Sequence, residues 1–224
     1  MIPSCPPQPP APATTERHRQ LYADDSLIVV DKPTRLLSVP GRGEDKQDCL
    51  IARVKADYPD ALIVHRLDFD TSGLVVLARG KAMHRALSIA FQEREVEKRY
   101  VAVVDGKLMA TQGEVNLPLL VDWPNRPLHK VDFEHGKPSQ TRFRQLAYDA
   151  ATHSTRVELT PETGRTHQLR VHMLALGHVI LGDPLYAEGE TRAKAERLLL
   201  HAEFLAFTHP LSGQRLEFSA PAPF

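Results

Sequence analysis

The chain has 224 residues, and its hydrophobic and charged fractions of 42% and 25% are ordinary for a folded protein in water. No apolar run approaches the ~20 residues that a membrane-spanning helix requires, which excludes a helical integral membrane protein. The 28 basic and 28 acidic residues cancel, and a net charge of zero argues mildly against a nucleic-acid-binding protein.

The charged residues are unevenly distributed along the chain. Residues 79–182 contain 15 Lys and Arg against 11 Asp and Glu, which is a local excess of positive charge. A protein with no net charge can therefore still present a basic face, and RNA is retained as a candidate partner.

The first 20 residues differ in composition from the rest of the chain. They are rich in proline and nearly uncharged at the start, so we expect a disordered arm over residues 1–20 and a folded domain over residues 21–224. The two cysteines, Cys5 and Cys49, are too few for a disulfide framework and have no metal-type spacing. We therefore expect a cytoplasmic protein.

Apolar runs and helical periodicities alternate beyond residue 21, which predicts an α+β protein. The helix predicted over residues 81–95 is amphipathic, and its apolar face is expected to pack against the core. The predicted strands cover residues 27–30, 61–64, 74–78, 98–104, 113–120, 141–148, 155–160, 198–207 and 215–218. The other helices are predicted over residues 48–58, from about residue 166, and over residues 191–197.

The polar segment His65–Leu74 lies between two of these apolar runs. A charged loop mounted on a rigid sheet is a common position for catalytic groups. Arg66 and Asp68 are alternate residues, so we expect their side chains on the same side of a strand-like segment. From the local pattern alone, a surface ion pair beside a turn is the better interpretation.

Tyr100 opens a predicted strand and shares one face with Ala102 and Val104. A tyrosine in this position is usually a packed aromatic residue with a hydrogen-bonded hydroxyl. Trp123, the only tryptophan, lies in a proline-flanked loop near Arg126. Such a loop can clamp single-stranded RNA by stacking and phosphate contacts, or its tryptophan can cap a small apolar cluster; both interpretations stay open.

Residues 161–172 contain a second cluster of polar groups, at a predicted strand-to-helix junction. The free N–H groups of a helix start suit a phosphate, and Arg165 and His167 strengthen that interpretation. Arg170, about one turn into the helix, is expected beside the buried face that Leu169 marks. The alternative is a helix with ordinary surface cations.

The segments His65–Leu74, Arg99–Tyr100 and Gly164–Arg170 together resemble the motifs of the RluA-type pseudouridine synthases. Asp31–Pro33 is similar to the first motif of that family. The resemblance implies the pseudouridine synthase fold, a mostly antiparallel, bifurcated sheet with flanking helices and a central catalytic cleft. It also implies the isomerisation of uridine to pseudouridine in RNA, with no cofactor and no metal.

The resemblance further implies a role for each candidate residue. Asp68 is the catalytic carboxylate, Arg170 pairs with it, and Tyr100 stacks on the target base with its hydroxyl near the reacting carbon. Leu169 forms an apolar wall for the uracil, and Arg66 fills the gap that a flipped uridine leaves. The residues expected to bind RNA outside this centre are Arg165, His167, Trp123 and Arg126.

Residues 37–42 and 122–127 resemble the dual-specificity members of the family, which modify uridine 746 of 23S rRNA and uridine 32 of tRNA anticodon stem-loops. We therefore expect these RNAs as partners, with no membrane and no protein partner. The alternatives are a synthase for another rRNA or tRNA uridine, an RNA-loop-binding module without chemistry, and a glycosidic hydrolase. The hydrolase needs a second carboxylate, for which Asp70 is the nearest candidate.

Overall fold

A computed structural model describes residues 13–224. Its helices are Leu50–Lys55 (α1), Gly80–Gln92 (α2), Gln168–Ala175 (α3) and Gly189–Ala193 (α4). Its strands are Arg19–Ala23 (β1), Leu27–Lys32 (β2), Ala61–Ile63 (β3), Ser72–Arg79 (β4), Glu97–Asp105 (β5), Gln112–Asn116 (β6), Leu119–Val121 (β7), His129–Val131 (β8), Gln140–Asp149 (β9), Ser154–Pro161 (β10), Leu200–Thr208 (β11) and Arg215–Ser219 (β12). Within this part of the chain no helix is long and apolar enough to cross a membrane.

Ten of the described strands form one sheet in the order β1-β2-β4-β11-β5-β10-β9-β6, with β3 attached to β4 and β12 attached to β11. Strands β7 and β8 form a separate hairpin. The pairing of β4 with β11 is parallel, and the other pairings in the sheet are antiparallel. The predicted α+β fold with a mostly antiparallel sheet is confirmed.

The sheet divides in the middle, because β4 and β11 pair over only two residues each. Beyond that point the edge of β4 pairs with β3, and the second half of β11 pairs with β12. His65 lies in the opening: its Nε2 accepts the Val76 N–H at 3.1 Å, and its ring stacks on Phe91 at 4.5 Å between centroids. The loop that follows His65 therefore leaves the sheet where its two halves separate.

Three apolar clusters hold these elements together. The first packs α2 on the outer faces of β2 and β4 through Met83, Leu87 and Ala90, so the predicted amphipathic face is confirmed. The second lies between α1 and the opposite faces of the same strands. The third packs α3 on β5 and β10, and Tyr100 contacts both the second and the third cluster.

The predicted disordered arm over residues 1–20 needs a correction at its end. Residues 1–12 lie outside the described part of the chain, whereas β1 begins at Arg19 and pairs with β2. Residues just before β1 are also tied down, because the Thr14 N–H donates to the Arg35 carbonyl at 2.9 Å. Strand pairing and backbone hydrogen bonds here outweigh the composition that favours disorder.

Two other expectations differ from the structure. The predicted strand over residues 113–120 is divided into β6 and β7, since Pro118 has no N–H to continue a ladder. Residues 64–71, which contain Arg66 and Asp68, form an irregular loop and not the expected strand-like end. The relative orientation of Arg66 and Asp68 is therefore set by tertiary contacts and not by strand alternation.

Gly73 makes the close approach of β4 to β11 possible. Its φ is +118°, and a β-carbon added there would lie 2.5 Å from the Ala202 amide nitrogen. Gly73→Ala should lower the free energy of unfolding by about 3 kcal/mol, through strain and a backbone clash together. Gly213→Ala is the matched control, because Gly213 also has a positive φ (+70°) but has no atom within 4 Å of its added β-carbon.

The control variant should lose about 1 to 2 kcal/mol from strain alone. Urea titration of both variants beside the wild type measures the difference. Equal losses would show that the contact with Ala202 contributes nothing.

Candidate active site

The cleft between the two sheet halves opens into a cavity of about 110 Å³. Seven of the nine residues predicted for the site line it, whereas Trp123 and Arg126 do not. Asp68 is the only carboxylate among the described residues that line this cavity. The lining residues are Arg66, Leu67, Asp68, Thr71, Lys98, Tyr100, Pro161, Thr163, Gly164, Arg165, His167, Gln168, Leu169, Arg170 and Leu200.

The loop that carries Asp68 is anchored on both sides by backbone hydrogen bonds. The Leu67 N–H donates to Ser38 Oγ at 3.1 Å, and the Ser38 hydroxyl donates to the Leu67 carbonyl at 2.7 Å. One residue after Asp68, the Phe69 carbonyl accepts the Leu36 N–H at 3.2 Å. Asp68 is thus held by its main-chain neighbours, and its carboxylate projects into the cavity from a fixed backbone.

Lys32 supports the same loop from inside the protein. Its ammonium group is fully buried and donates to the carbonyls of Pro33, Leu36 and Phe69 at 3.0, 2.8 and 3.3 Å. Burial lowers the pKa of Lys32 to about 7, against the opposing effect of the nearby Asp68 and Asp70 carboxylates. Three carbonyl acceptors match the three hydrogens of the charged form.

Arg170 is only 1% exposed and lies between two carboxylates. Its Nη1 approaches Asp68 Oδ2 at 3.4 Å, as the sequence interpretation expects. Its shorter bonds go to Asp183, which it contacts through Nε at 2.7 Å and Nη2 at 2.6 Å. Burial works to lower the pKa of Arg170, but the bonds and charge of Asp183, with Asp68, raise it above its usual value.

His167 approaches the same oxygen of Asp68, with Nε2 at 3.9 Å from Oδ2. Its Nδ1 lies 2.7 Å from the Tyr186 hydroxyl. Its backbone is left-handed, with φ at +56°, which is uncommon for a residue other than glycine and occurs often at functional sites. Burial lowers the pKa of His167 to about 4, so the imidazole is neutral at pH 7.

Tyr100 and Leu169 both line the cavity. Tyr100 belongs to β5 in the middle of the sheet, and Leu169 belongs to the first turn of α3. Burial, with the charge of Asp68, raises the pKa of the Tyr100 phenol above its usual value, so the phenol is protonated at neutral pH. An aromatic ring and an aliphatic side chain in the lining give the cavity apolar surface suited to a planar, uncharged base.

The helix that supplies Arg170 is more deeply buried than expected. All residues from Gln168 to Met173 are buried, because α3 lies between the sheet and the hairpin of β7 and β8. Its buried polar side chains have partners: His172, for example, contacts Ser139 and Thr141, both at 2.9 Å. The expectation of ordinary surface cations on this helix is wrong for Arg170.

Arg66 and Arg165 are both exposed at the rim of the cavity. Arg165 Nε donates to the Pro138 carbonyl at 3.2 Å, and its backbone N–H donates to Gln168 Oε1 at 3.0 Å. The side chain of Gln168 therefore fixes the segment that leads into α3. The two arginines give the entrance a positive charge.

Trp123 and Arg126 lie in the tip of the hairpin formed by β7 and β8. Trp123 is 63% exposed, and the guanidinium of Arg126 stacks over its ring at 4.3 Å. The interpretation of Trp123 as the cap of an apolar cluster is therefore wrong. The hairpin still adjoins the site, because the His129 N–H donates to the Tyr186 hydroxyl at 2.9 Å.

Sequence reasoning missed Asp183 and Tyr186 as parts of the site. Both belong to the segment Gly182–Tyr186, which the sequence analysis did not use for chemistry. No periodicity connects that segment to α3, and an aspartate after a buried run has many surface interpretations. The only available signal was that Arg170, if buried, needs a second partner for its charge.

The sequence matches the family model described as RNA pseudouridylate synthase over residues 26–175. It is 56% identical to the dual-specificity RNA pseudouridine synthase RluA of Escherichia coli K12, over 91% of this chain and 93% of the relative. The fold is similar to two solved human structures, RNA pseudouridylate synthase domain containing 1 and 4. The TM-scores are 0.78 and 0.74, and the sequence identities are 29% and 26%. The matches cover 96% and 92% of this chain, and 87% and 88% of the human chains.

The half-buried His65 predicts how stability depends on pH. Burial, with the nearby Lys98, lowers the pKa of His65 from 6.5 to about 3, so between these values the unfolded chain binds a proton that the folded one does not. The contribution of this group to the free energy of unfolding is therefore fully present above pH 6.5. It decreases by about 1.4 kcal/mol for each pH unit of acidification below that value. His65→Gln, which keeps an acceptor for the Val76 N–H, should reduce that slope.

Urea titrations at pH 7.5, 6.0 and 5.0 measure the slope for each variant. His135→Gln, which alters an exposed histidine, is the control and should leave the slope unchanged. An unchanged slope in His65→Gln would contradict the assignment of the proton to His65.

Proposed function

This chain belongs to the RNA pseudouridylate synthase family and isomerises uridine to pseudouridine in RNA, and we propose that Asp68, Tyr100 and Arg170 are its catalytic residues. The proposed catalytic domain, predicted over residues 21–224, is extended to include the start of β1 at Arg19. The observation that carries this proposal is a single carboxylate, Asp68, which lies 3.4 Å from a buried guanidinium in a cavity with one aromatic and one aliphatic wall.

The reaction rearranges bonds within one nucleotide. The C1′–N1 bond breaks, the uracil turns in its slot, C5 bonds to C1′, C5 loses its proton and N1 gains one. Atoms and electrons balance without a redox partner or phosphate energy. The protein therefore has to supply an anion beside the sugar and a surface on which the free base can turn.

Asp68 is the proposed anion. Arg170 keeps a positive charge beside it, which stabilises the ionised carboxylate in a partly dehydrated cavity. Leu169 and Tyr100 hold the two faces of the uracil, and the protonated phenol offers a hydroxyl close to the turning base. Arg66, at the exposed rim, occupies the gap in the RNA stack when the uridine flips into the cavity.

The cavity favours isomerisation over hydrolysis. An inverting or retaining glycosidic hydrolase uses two carboxyl groups on opposite sides of the scissile bond. Asp70, the next carboxylate along the chain, does not line the cavity, and neither does Asp183.

The proposed substrates are uridine 746 of 23S rRNA and uridine 32 of tRNA anticodon stem-loops. The name of the Escherichia coli relative states dual specificity, and the identity with it extends over nearly the whole chain. The exposed Trp123 and Arg126 support an RNA loop as the substrate, since stacking and cationic contacts suit unpaired bases. RNA substrates of these kinds are typical of a cytoplasmic enzyme, and two cysteines are too few for the disulfide framework of a secreted protein. We therefore propose that the enzyme acts in the cytoplasm.

Asp68→Asn should abolish turnover while RNA affinity stays within about threefold, because the amide removes the anion and keeps the shape. The measurement is tritium release from 5-³H-uridine in unmodified tRNA and 23S rRNA fragments, with the modified position mapped in each. Asp60→Asn is the matched control, since Asp60 pairs with Arg79 at the surface. Turnover by Asp68→Asn would remove Asp68 from its role, and base loss without isomerisation would indicate a hydrolase.

Trp123→Ala should weaken RNA binding by about tenfold and leave the single-turnover rate at saturating enzyme unchanged, because Trp123 lies outside the cavity. Leu211→Ala is the matched control, since Leu211 is 77% exposed in the turn between β11 and β12. Filter binding and single-turnover tritium release separate the two quantities. A slower chemical step with unchanged affinity would contradict a recognition role for Trp123.

A further inference from the structure

We propose that Asp183 and Tyr186 are positioning residues that direct two nitrogen donors onto one oxygen of the catalytic carboxylate. Arg170 Nη1 and His167 Nε2 both face Asp68 Oδ2, at 3.4 and 3.9 Å. Each of these two side chains is bound at its other nitrogens by one residue of the segment Gly182–Tyr186, which we call the support loop. This inference rests on the proposed role of Asp68.

Asp183 fixes the guanidinium of Arg170. The Asp183 side chain has no exposed surface and receives Nε and Nη2 of Arg170 in a bidentate pair. Its Oδ1 also accepts the backbone N–H groups of Leu185 and Tyr186, at 2.9 and 3.1 Å. Four donors thus fix the carboxylate, and the planar guanidinium has one orientation that keeps both bonds and turns Nη1 toward Asp68.

Tyr186 sets the tautomer of His167. The Tyr186 oxygen accepts the His129 N–H at 2.9 Å, so its own hydrogen is available for His167 Nδ1 at 2.7 Å. A neutral imidazole carries one N–H, and an Nδ1 that accepts a hydrogen bond leaves that N–H on Nε2. The nitrogen that faces Asp68 is therefore a donor and not a lone pair.

One side chain of the support loop, Tyr186, contacts both Arg170 and His167. The ring of Tyr186 lies 5.1 Å from the guanidinium carbon of Arg170, while its hydroxyl holds His167. Among the described residues, Asp68 Oδ1 accepts no hydrogen bond. Arg170 Nη1 lies within hydrogen-bond distance of Oδ2, whereas His167 Nε2, at 3.9 Å, faces the same oxygen from beyond that distance.

This arrangement predicts a specific coupling. If Tyr186 acts through His167, removal of its hydroxyl matters only while a histidine is present. Tyr186→Phe should slow single-turnover isomerisation by about tenfold, and His167→Asn should slow it by a similar factor. The double variant should be about tenfold slower and not a hundredfold, because both changes remove the same donor. Asparagine is chosen because it tolerates the left-handed backbone of His167.

The experiment measures single-turnover tritium release from 5-³H-uridine tRNA at saturating full-length enzyme, with RNA affinity measured separately. Tyr22→Phe is the matched control, since it removes a tyrosine hydroxyl bonded to Asp24 at 2.7 Å, away from the cavity. RNA affinity should stay within about threefold in Tyr186→Phe and Tyr22→Phe. Equal slowing by Tyr186→Phe in the wild-type and His167→Asn backgrounds would overturn the role of Tyr186.

Asp183→Asn tests the other half of the support loop. An amide cannot accept both bonds from Arg170, so the single-turnover rate should fall by about a hundredfold with little change in RNA affinity. Asp48→Asn is the control, because Asp48 binds Arg53 with the same pair of nitrogens at 2.7 and 2.6 Å on the surface. A folded Asp183→Asn with the wild-type rate would overturn the role of Asp183.

The two proposals fail in different ways. If Asp68→Asn turns over, the proposed function fails, whatever the support-loop variants do. If Asp68→Asn is inactive while Tyr186→Phe and Asp183→Asn react at the wild-type rate, the positioning inference alone is wrong. Should Asp183→Asn not fold, the cycle between Tyr186 and His167 still decides the inference.

Discussion

The buried guanidinium of Arg170 is the interaction on which the rest of this structure depends. An arginine side chain cannot lose its charge in a protein, so burial at 1% exposure requires carboxylates on both sides. Asp183 satisfies most of its hydrogen bonds, and Asp68 takes the remaining contact from the direction of the cavity. The ion pair that suits the chemistry is thus also a packing constraint, since removal of Asp183 leaves the buried guanidinium with only the longer contact to Asp68.

The fold places these charges together by dividing one sheet. The short parallel contact of β4 with β11, which Gly73 permits, separates the halves and leaves an opening for the loop that carries Asp68. Ser38 and Lys32 then bind the backbone on either side of that loop. On the other half, α3 presents Leu169 and Arg170 from its first turn. The cavity is therefore formed by rigid elements from both halves, as a site for a turning base requires.

The residues proposed for recognition and those proposed for chemistry occupy different parts of the molecule but are connected. Trp123 and Arg126 lie at the tip of the hairpin of β7 and β8, where Trp123 is exposed, whereas Asp68, Tyr100 and Arg170 line the cavity. One contact joins them: the backbone of His129, in β8, donates to the hydroxyl that holds His167. An RNA loop bound to the hairpin therefore contacts an element that also positions a donor beside Asp68.

The sequence by itself determined the local features and the candidate catalytic residues. Strand alternation placed Tyr100 on a core face, helical periodicity gave the buried face of α2, and the motif around Asp68 identified the family. The sequence pattern could not place Asp183 against Arg170, because the two residues lie on segments whose relative position is set by long-range packing. It also could not show that Trp123 is exposed, or that Arg66 and Asp68 lie on an irregular loop. Local propensities act over a few residues, whereas a buried charge is assigned its partners only when distant segments pack together.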